Sequence, residues 1–276
     1  MGENQPLVSA VVTTRNRAQM LRRALDSVVV QTYPNLELII VDDGSTDETS
    51  SVVAGYEGVR PLKYIRHEES LGACLARNRG IQESSGIFVA GLDDDDKWHE
   101  KRVEQLVKAY SDDYACITSD VVMVFKHGEK VWKKKRLIGL DTLLYTNQVG
   151  NQVLVRRDRL LEVGGFDPGL KAAQDYDLWI RLCKKYGPIL NVQKPLQTIY
   201  LDHGTERITD QSSFDGYLQF YNKHKAEFNR QQRKYQLFNI RRAAGKPLTI
   251  DEFIRYVPLF RYWKEMKRVI GKMIWE

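Results

Sequence analysis

Three short runs rich in Val, Ile and Leu, at Leu7–Thr13, Leu36–Val41 and Ile87–Leu92, each break off into a polar cluster. Runs this short and this apolar suit strands buried on both faces, the pattern of a parallel sheet. Between the first two, Leu21, Leu25, Val28 and Val29 recur at helical spacing before Pro34. The stretch from Thr46 to Tyr56 also reads as helix, so the first sixty residues run strand, helix, strand, helix. Parallel strands joined by crossovers follow, and such sheets bind ligands outside the carboxyl ends of their strands. Thr13–Arg17, Asp42–Ser45 and Asp93–Asp96 all fall at those ends, which makes them candidates for one site.

Further elements continue the alternation. The sequence predicts strands at Lys63–Arg66, Ala115–Phe125 and Val153–Arg156, and helices at Gly72–Ser84, Glu100–Tyr110, Arg159–Val163 and Asp175–Tyr186. The last of these helices stops at Gly187-Pro188. A His127-Gly128 turn leads into a basic run ending at Arg136. Beyond it, Thr249 and Glu252 form a capping box. Phe253, Val257, Phe260, Trp263, Met266, Ile270 and Met273 mark an apolar stripe on a basic C-terminal segment.

With 276 residues, 42% of them hydrophobic and 28% charged, the chain is expected to be globular rather than disordered. No run reaches the roughly 20 apolar residues of a spanning helix. The N-terminus lacks a signal-peptide pattern, so a cytoplasmic location is expected. Cys74, Cys116 and Cys183 lack metal-ligand spacing and read as packing residues. The formal charge of +6 is unevenly spread, crowding into 126–136 and 255–272.

Four consecutive carboxylates, Asp93 to Asp96, repel one another unless solvent or a cation relieves them. Their place at a strand's carboxyl end favours a divalent cation, and hard oxygen ligands suit Mg²⁺ or Mn²⁺ beside substrate phosphates. The run admits more than one ligand register. Asp42-Asp43-Gly44-Ser45 taken alone is ordinary turn chemistry, yet a carboxylate there can also accept from a base or ribose. Arg77 taken alone reads as a solvated surface charge. Asp175 reads as a helix N-cap or as a general base toward a hydroxyl, and both roles are compatible. His203 in Tyr200–Thr205 is either structural or a ligand.

Taken in order, these segments resemble the family 2 glycosyltransferases. The resemblance rests on Val8–Arg17, Gln31–Ser45, Ala76-Arg77-Asn78, Leu92–Asp96 with Trp98, Gly164–Asp167 and Asp175–Trp179, and covers about residues 7–205. It implies an α/β GT-A fold, a Rossmann-like nucleotide-binding mixed sheet flanked by helices. Residues 1–205 would form the catalytic domain, with 1–110 as its nucleotide-binding half and 111–205 as its acceptor half. Residues 206–276 would be a helical C-terminal extension. By the same resemblance Thr13, Arg15, Asp43 and Arg77 line the nucleotide pocket, with Asp43 and Arg77 near a uracil-type base. Asp93 and Asp95 take the outer positions of the Asp-x-Asp motif, with Asp95 as principal metal ligand. Asp94 falls near the ribose or donor sugar, His203 near the metal or diphosphate, and Asp175 is the base. The chain departs from the family in carrying Gln174 where Glu is usual before the base, and Arg at position 15.

The resulting expectation is an inverting, metal-dependent enzyme moving a sugar from a UDP-sugar to a saccharide, free or lipid-linked, in bacterial surface glycan synthesis. The basic, aromatic C-terminal helices either rest on the anionic inner face of the cytoplasmic membrane or pack on the catalytic core with their charges solvated. A nucleotidyltransferase-like enzyme is disfavoured by the missing Gly-rich, Lys-bearing phosphate loop. The other rival is a non-catalytic sugar-nucleotide or nucleic-acid binding module; no RNA-binding signature accompanies Trp132 and Trp263, and UDP-sugar hydrolysis with Mn²⁺ separates enzyme from nucleotide binder.

Overall fold

A computed structural model describes residues 5–201 and 213–243, together with 251 and 257. The expected parallel strands are β1 (Val8–Thr14), β2 (Leu36–Asp42), β3 (Leu62–Arg66) and β4 (Phe88–Asp93). They pair in the order β3-β2-β1-β4, all parallel. The crossovers carry α1 (Ala18–Val29), α2 (Thr49–Ala54) and α3 (Ala73–Glu83). Leu21, Leu25 and Val28 of α1 are fully buried, as their spacing requires. Helix α3 lies so close to β1 that a β-carbon at Gly80 would collide with Val11. That approach aims the N-terminal part of α3 across the carboxyl ends of the strands.

The sheet continues past β4 with mixed polarity. After the short β5 (Lys97–Trp98) and α4 (Arg102–Lys108) come β6 (Ile117–Phe125), β7 (Gly128–Trp132), β8 (Leu137–Ile138), α5 (Leu140–Tyr145), β9 (Leu154–Arg156), α6 (Arg157–Glu162), α7 (Gln174–Tyr186) and β10 (Ile189–Tyr200). Strand β9 runs antiparallel to both β4 and β6, so β6 points the same way as β4. Strand β10 is parallel to β6, and β7 pairs antiparallel to β6 outside the main path.

The twelve-residue β10 has no counterpart in the sequence reading. Its middle is polar and contains Pro195, Gln193 sits at φ +54, and its register slips on either side of Pro195. A bulge interrupts the period of two, so the strand does not announce itself. It forms because each half finds a partner in β6.

The chain divides into two compact units. The first comprises 1–143, 148–168 and 174–206 and contains the sheet. The second gathers 144–147, 169–173 and the described residues from 213 onward. Its helices α8 (Ser213–His224) and α9 (Arg230–Ala243) bury Phe220 and Phe238. Gln236 of α9 donates to the carbonyls of Leu144 and Tyr145 at 2.9 and 3.1 Å. All three cysteines are buried and free, and burial raises each thiol pKa. No helix among the described residues is long and apolar enough to cross a membrane. His203 and all but residues 251 and 257 of the expected C-terminal helices lie outside the described residues.

Candidate active site

Strands β1, β2 and β4 end side by side, with Thr14 opposite Asp42 and Thr13 opposite Asp93. Parallel pairing alone therefore brings three distant polar clusters to one edge. Asp42 and Asp43 are both buried but face different partners. Asp42 accepts from Ser45 N at 2.8 Å and Tyr64 Oη at 2.6 Å. Asp43 accepts four hydrogen bonds, from His67 Nδ1, Ser70 Oγ and the amides of Leu71 and Gly72, all at 2.7–2.9 Å. Burial by itself would raise the Asp43 carboxyl, but these donors outweigh it and hold the pKa below the usual carboxylate value. The 67–72 segment passes tightly over Gly44, where φ is +75 and a β-carbon would lie 2.9 Å from the Glu69 carbonyl carbon. Only glycine suits both demands.

The four aspartates after β4 do not act as one patch. Asp94 is buried and faces β1, accepting from Thr14 Oγ1 at 2.8 Å and from the Arg17 guanidinium at 3.1 Å. Burial raises its pKa to about 6 against the opposing pull of Arg17 and Thr14. Asp93, Asp95 and Asp96 instead face one another, each offering an oxygen within 4.8 Å of the others. Arg17 also reaches Asp95 at 3.3 Å, and Arg23 donates to the Asp95 carbonyl. Asn151 donates to both Asp93 (2.6 Å) and Asp96 (3.1 Å), while Gln152 donates to Asp96 at 2.6 Å. Three carboxylates this close are a hard, all-oxygen donor set. Their chemistry fits a divalent cation of the Mg²⁺ or Mn²⁺ type.

Arg77, on α3, donates to Asp93 at 2.9 Å and packs its guanidinium 5.4 Å from the Phe166 ring centroid. Burial opposes its charge, but Asp93 and Asp175 more than restore it and its pKa rises. Asp175 is the second residue of α7, inside its first turn rather than capping it. Burial pushes its pKa up to about 7, opposed by Arg77 and reinforced by the negative charge of Asp93. A narrow cavity beneath these groups is lined by Thr13, Arg77, Asp93, Asn151, Phe166 and Trp179. Arg15 is exposed, next to this edge on the loop after β1.

Thr13, Asp43, Arg77 and Asp93–Asp95 thus gather at one sheet edge, with Asp175 within electrostatic reach of Arg77 and Asp93. Four further residues entered no role in the sequence reading: Thr14, Arg17, His67 and Asn151. Arg17 and Thr14 sat inside a quoted motif, so position could have flagged them. Asn151 comes from a loop with no chemical signature.

A parallel half-sheet with carboxylates on its edge, extended by strands of mixed polarity, defines a GT-A glycosyltransferase fold. Solved structures of this shape include Staphylococcus aureus TarS 1–349 in complex with UDP-GlcNAc (TM-score 0.67, 20% identity, 92% of this chain and 77% of that one). Another is the mannosyltransferase PcManGT of Pyrobaculum calidifontis with GDP-Man and Mn²⁺ (TM-score 0.66, 17% identity, 87% and 74%). The chain belongs to glycosyl transferase family 2, whose profile matches residues 9–174. WcaA of Escherichia coli K12, provisionally named a colanic acid biosynthesis glycosyl transferase, is 36% identical over 90% of this chain and 91% of its own. TuaG of Bacillus subtilis 168, provisionally named a teichuronic acid biosynthesis glycosyltransferase, is 28% identical over 66% and 73%.

Proposed function

We propose that this glycosyltransferase catalyses inverting transfer of a sugar from a UDP-sugar to a hydroxyl of a lipid-linked saccharide, in bacterial surface polysaccharide synthesis. The observation carrying the reading is Asp175, whose carboxyl is raised to about 7 beside Arg77 and Asp93 at the edge that also carries Asp43. A base near neutrality is poised to take a proton from an attacking hydroxyl. The names of WcaA and TuaG support the polysaccharide setting.

Each residue has a distinct task. Asp43 holds the 67–72 segment as one wall of the base pocket, with Thr13, Arg15 and Arg77 lining the rest. Asp93 and Asp95, with Asp96 beside them and His203 from the later chain, would hold a divalent cation, Mn²⁺ or Mg²⁺. Such a cation, when bound, supplies charge neutralisation for a departing diphosphate. Asp94, locked by Thr14 and Arg17, faces the ribose or donor sugar. Asp175 accepts the acceptor proton as its oxygen attacks the anomeric carbon from the face opposite the diphosphate, so configuration inverts.

The test pairs a UDP-sugar screen for metal-dependent UDP release with Asp175→Asn. The variant should lose roughly 10²–10⁴ in transfer rate while UDP still binds by calorimetry. Transfer at near wild-type rate would remove Asp175 as the base. No UDP release with any donor would remove the UDP-sugar assignment.

A further inference from the structure

Strand β6 ends in a hairpin that the chemistry above leaves unused. Every residue from Phe125 to Val131 is exposed, and Phe125 and Val131 keep 44% and 40% of their surface in water. They stand on opposite faces of the ribbon, because Val131 pairs with Val122 and Phe125 with Gly128. Around them lie Lys126, Lys130, Lys133, Lys135 and Arg136, all exposed, against the single acid Glu129. Among the described residues none of these four lysines forms an ion pair. The basic run is not uniform, however. Lys134 is only 4% exposed and turns inward to Thr118 Oγ1 and the Val149 carbonyl.

The position of the hairpin gives it meaning. Ala90 of β4 and Ile117 of β6 both pair with Leu154, so they stand at one level of the sheet. Asp93 lies three residues past that level and Phe125 eight, on strands pointing the same way. Five extra residues at about 3.3 Å each carry the tip roughly 15 Å beyond the aspartates, over the same edge.

We propose that the β6–β7 hairpin docks the enzyme on an anionic lipid bilayer, with Phe125 and Val131 entering the headgroup region and the surrounding lysines on the lipid phosphates. Exposed apolar tips ringed by unpaired cations match such a surface in both polarity and charge. A bilayer at the tip lies in front of the candidate active site, at a distance a short saccharide on a lipid carrier spans. The inference rests on the lipid-linked acceptor proposed above and gives that acceptor a direction of approach.

The test is flotation of the full chain with vesicles of phosphatidylethanolamine and phosphatidylglycerol, and with pure phosphatidylcholine. Wild-type protein should bind the anionic vesicles only. A Lys126→Glu, Lys130→Glu double variant should bind at least ~25-fold more weakly, at about fivefold for each basic group near an anionic surface. Phe125→Ser should lose the part of binding that survives high salt. Both should keep wild-type melting curves and UDP release, since these side chains project into solvent. No binding by wild-type, or full binding by the double variant with the C-terminal basic segment intact, overturns the proposal. So does release from vesicles by inorganic diphosphate at constant ionic strength, which would mean an anion pocket instead of a membrane face. Wild-type protein that releases UDP but binds no vesicles sinks the docking surface alone. Intact vesicle binding without UDP release sinks the transferase assignment instead.

Discussion

The side-chain amide of Asn78 pairs with the backbone of Phe166 in both directions, donating to its carbonyl and accepting from its amide at 2.8 Å each. This pair of hydrogen bonds ties α3, which carries Arg77, to the loop that leads toward Asp175. Gly165 makes it possible. Its φ is +66, and a β-carbon there would strike Asn78 Oδ1.

Asn78→Ala should therefore cost about 2–3 kcal/mol, the worth of two hydrogen bonds whose backbone partners are left half-buried. Gly165→Ala should cost at least ~1–3 kcal/mol through backbone strain and collision. Urea denaturation reads both. Unchanged midpoints in the two variants would show that the loop is held elsewhere.

Activity should follow the ionisation of Asp175. Its raised pKa leaves it protonated below about 7, where it cannot act as a base, so kcat/KM should climb with pH through neutrality and then level. The same shift acts on stability with a definite sign. From about pH 4 to 7 the folded chain keeps a proton that the unfolded chain has released, so this group's contribution falls as pH rises. Asp175→Asn should remove that slope and melt no lower than wild type near about pH 8. A flat wild-type pH–rate profile from acid to neutral would contradict the assignment.

Asp94 and Asp95 are neighbours in sequence but face different partners, so their variants should separate. Asp95→Ala should weaken Mn²⁺-dependent UDP binding by roughly 100-fold or more, since it removes an oxygen from the three-carboxylate cluster. Chelation with EDTA should reproduce this in wild-type protein. Asp94→Asn should keep its Mn²⁺ response and raise the donor KM instead. Equal loss of metal response in both would mean that the run acts as one patch. Calorimetry with and without Mn²⁺ decides.

Lys134 offers a test away from the site. Burial, with Arg102 nearby, lowers its pKa to about 7, far below an unfolded lysine at about 10.4. Between those values the unfolded chain binds a proton that the folded chain lacks. Stability should rise with pH across that window, by up to ~1.4 kcal/mol per pH unit, and Lys134→Met should abolish the slope. Urea denaturation at two pH values within the window measures it. Identical slopes for variant and wild type would place the ammonium in water.

The strands β1, β2 and β4 were legible because a doubly buried strand must be apolar along its whole length, and its end must be polar where ligand and solvent meet it. Asp43, Arg77 and Asp93 could be nominated from their places after such runs and on the following helix. The twelve residues of β10 could not, since a bulge around a proline erases the alternation that marks a strand. Nor could Asn151, whose amide matters only because β9 runs antiparallel to β4 and returns the preceding loop to the aspartates.

Local sequence thus determined which segments become strand or helix and where the polar edge falls, because burial period and turn chemistry act over a few residues. Tertiary structure decided how four adjacent aspartates divide, with Asp94 drawn to Thr14 and Arg17 and Asp93, Asp95 and Asp96 left facing one another. It also sent Lys134 inward from a basic run while Lys133 and Lys135 stayed in water. Identical residues side by side carry identical local signals, so only the partners that folding brings up from elsewhere in the chain can tell them apart.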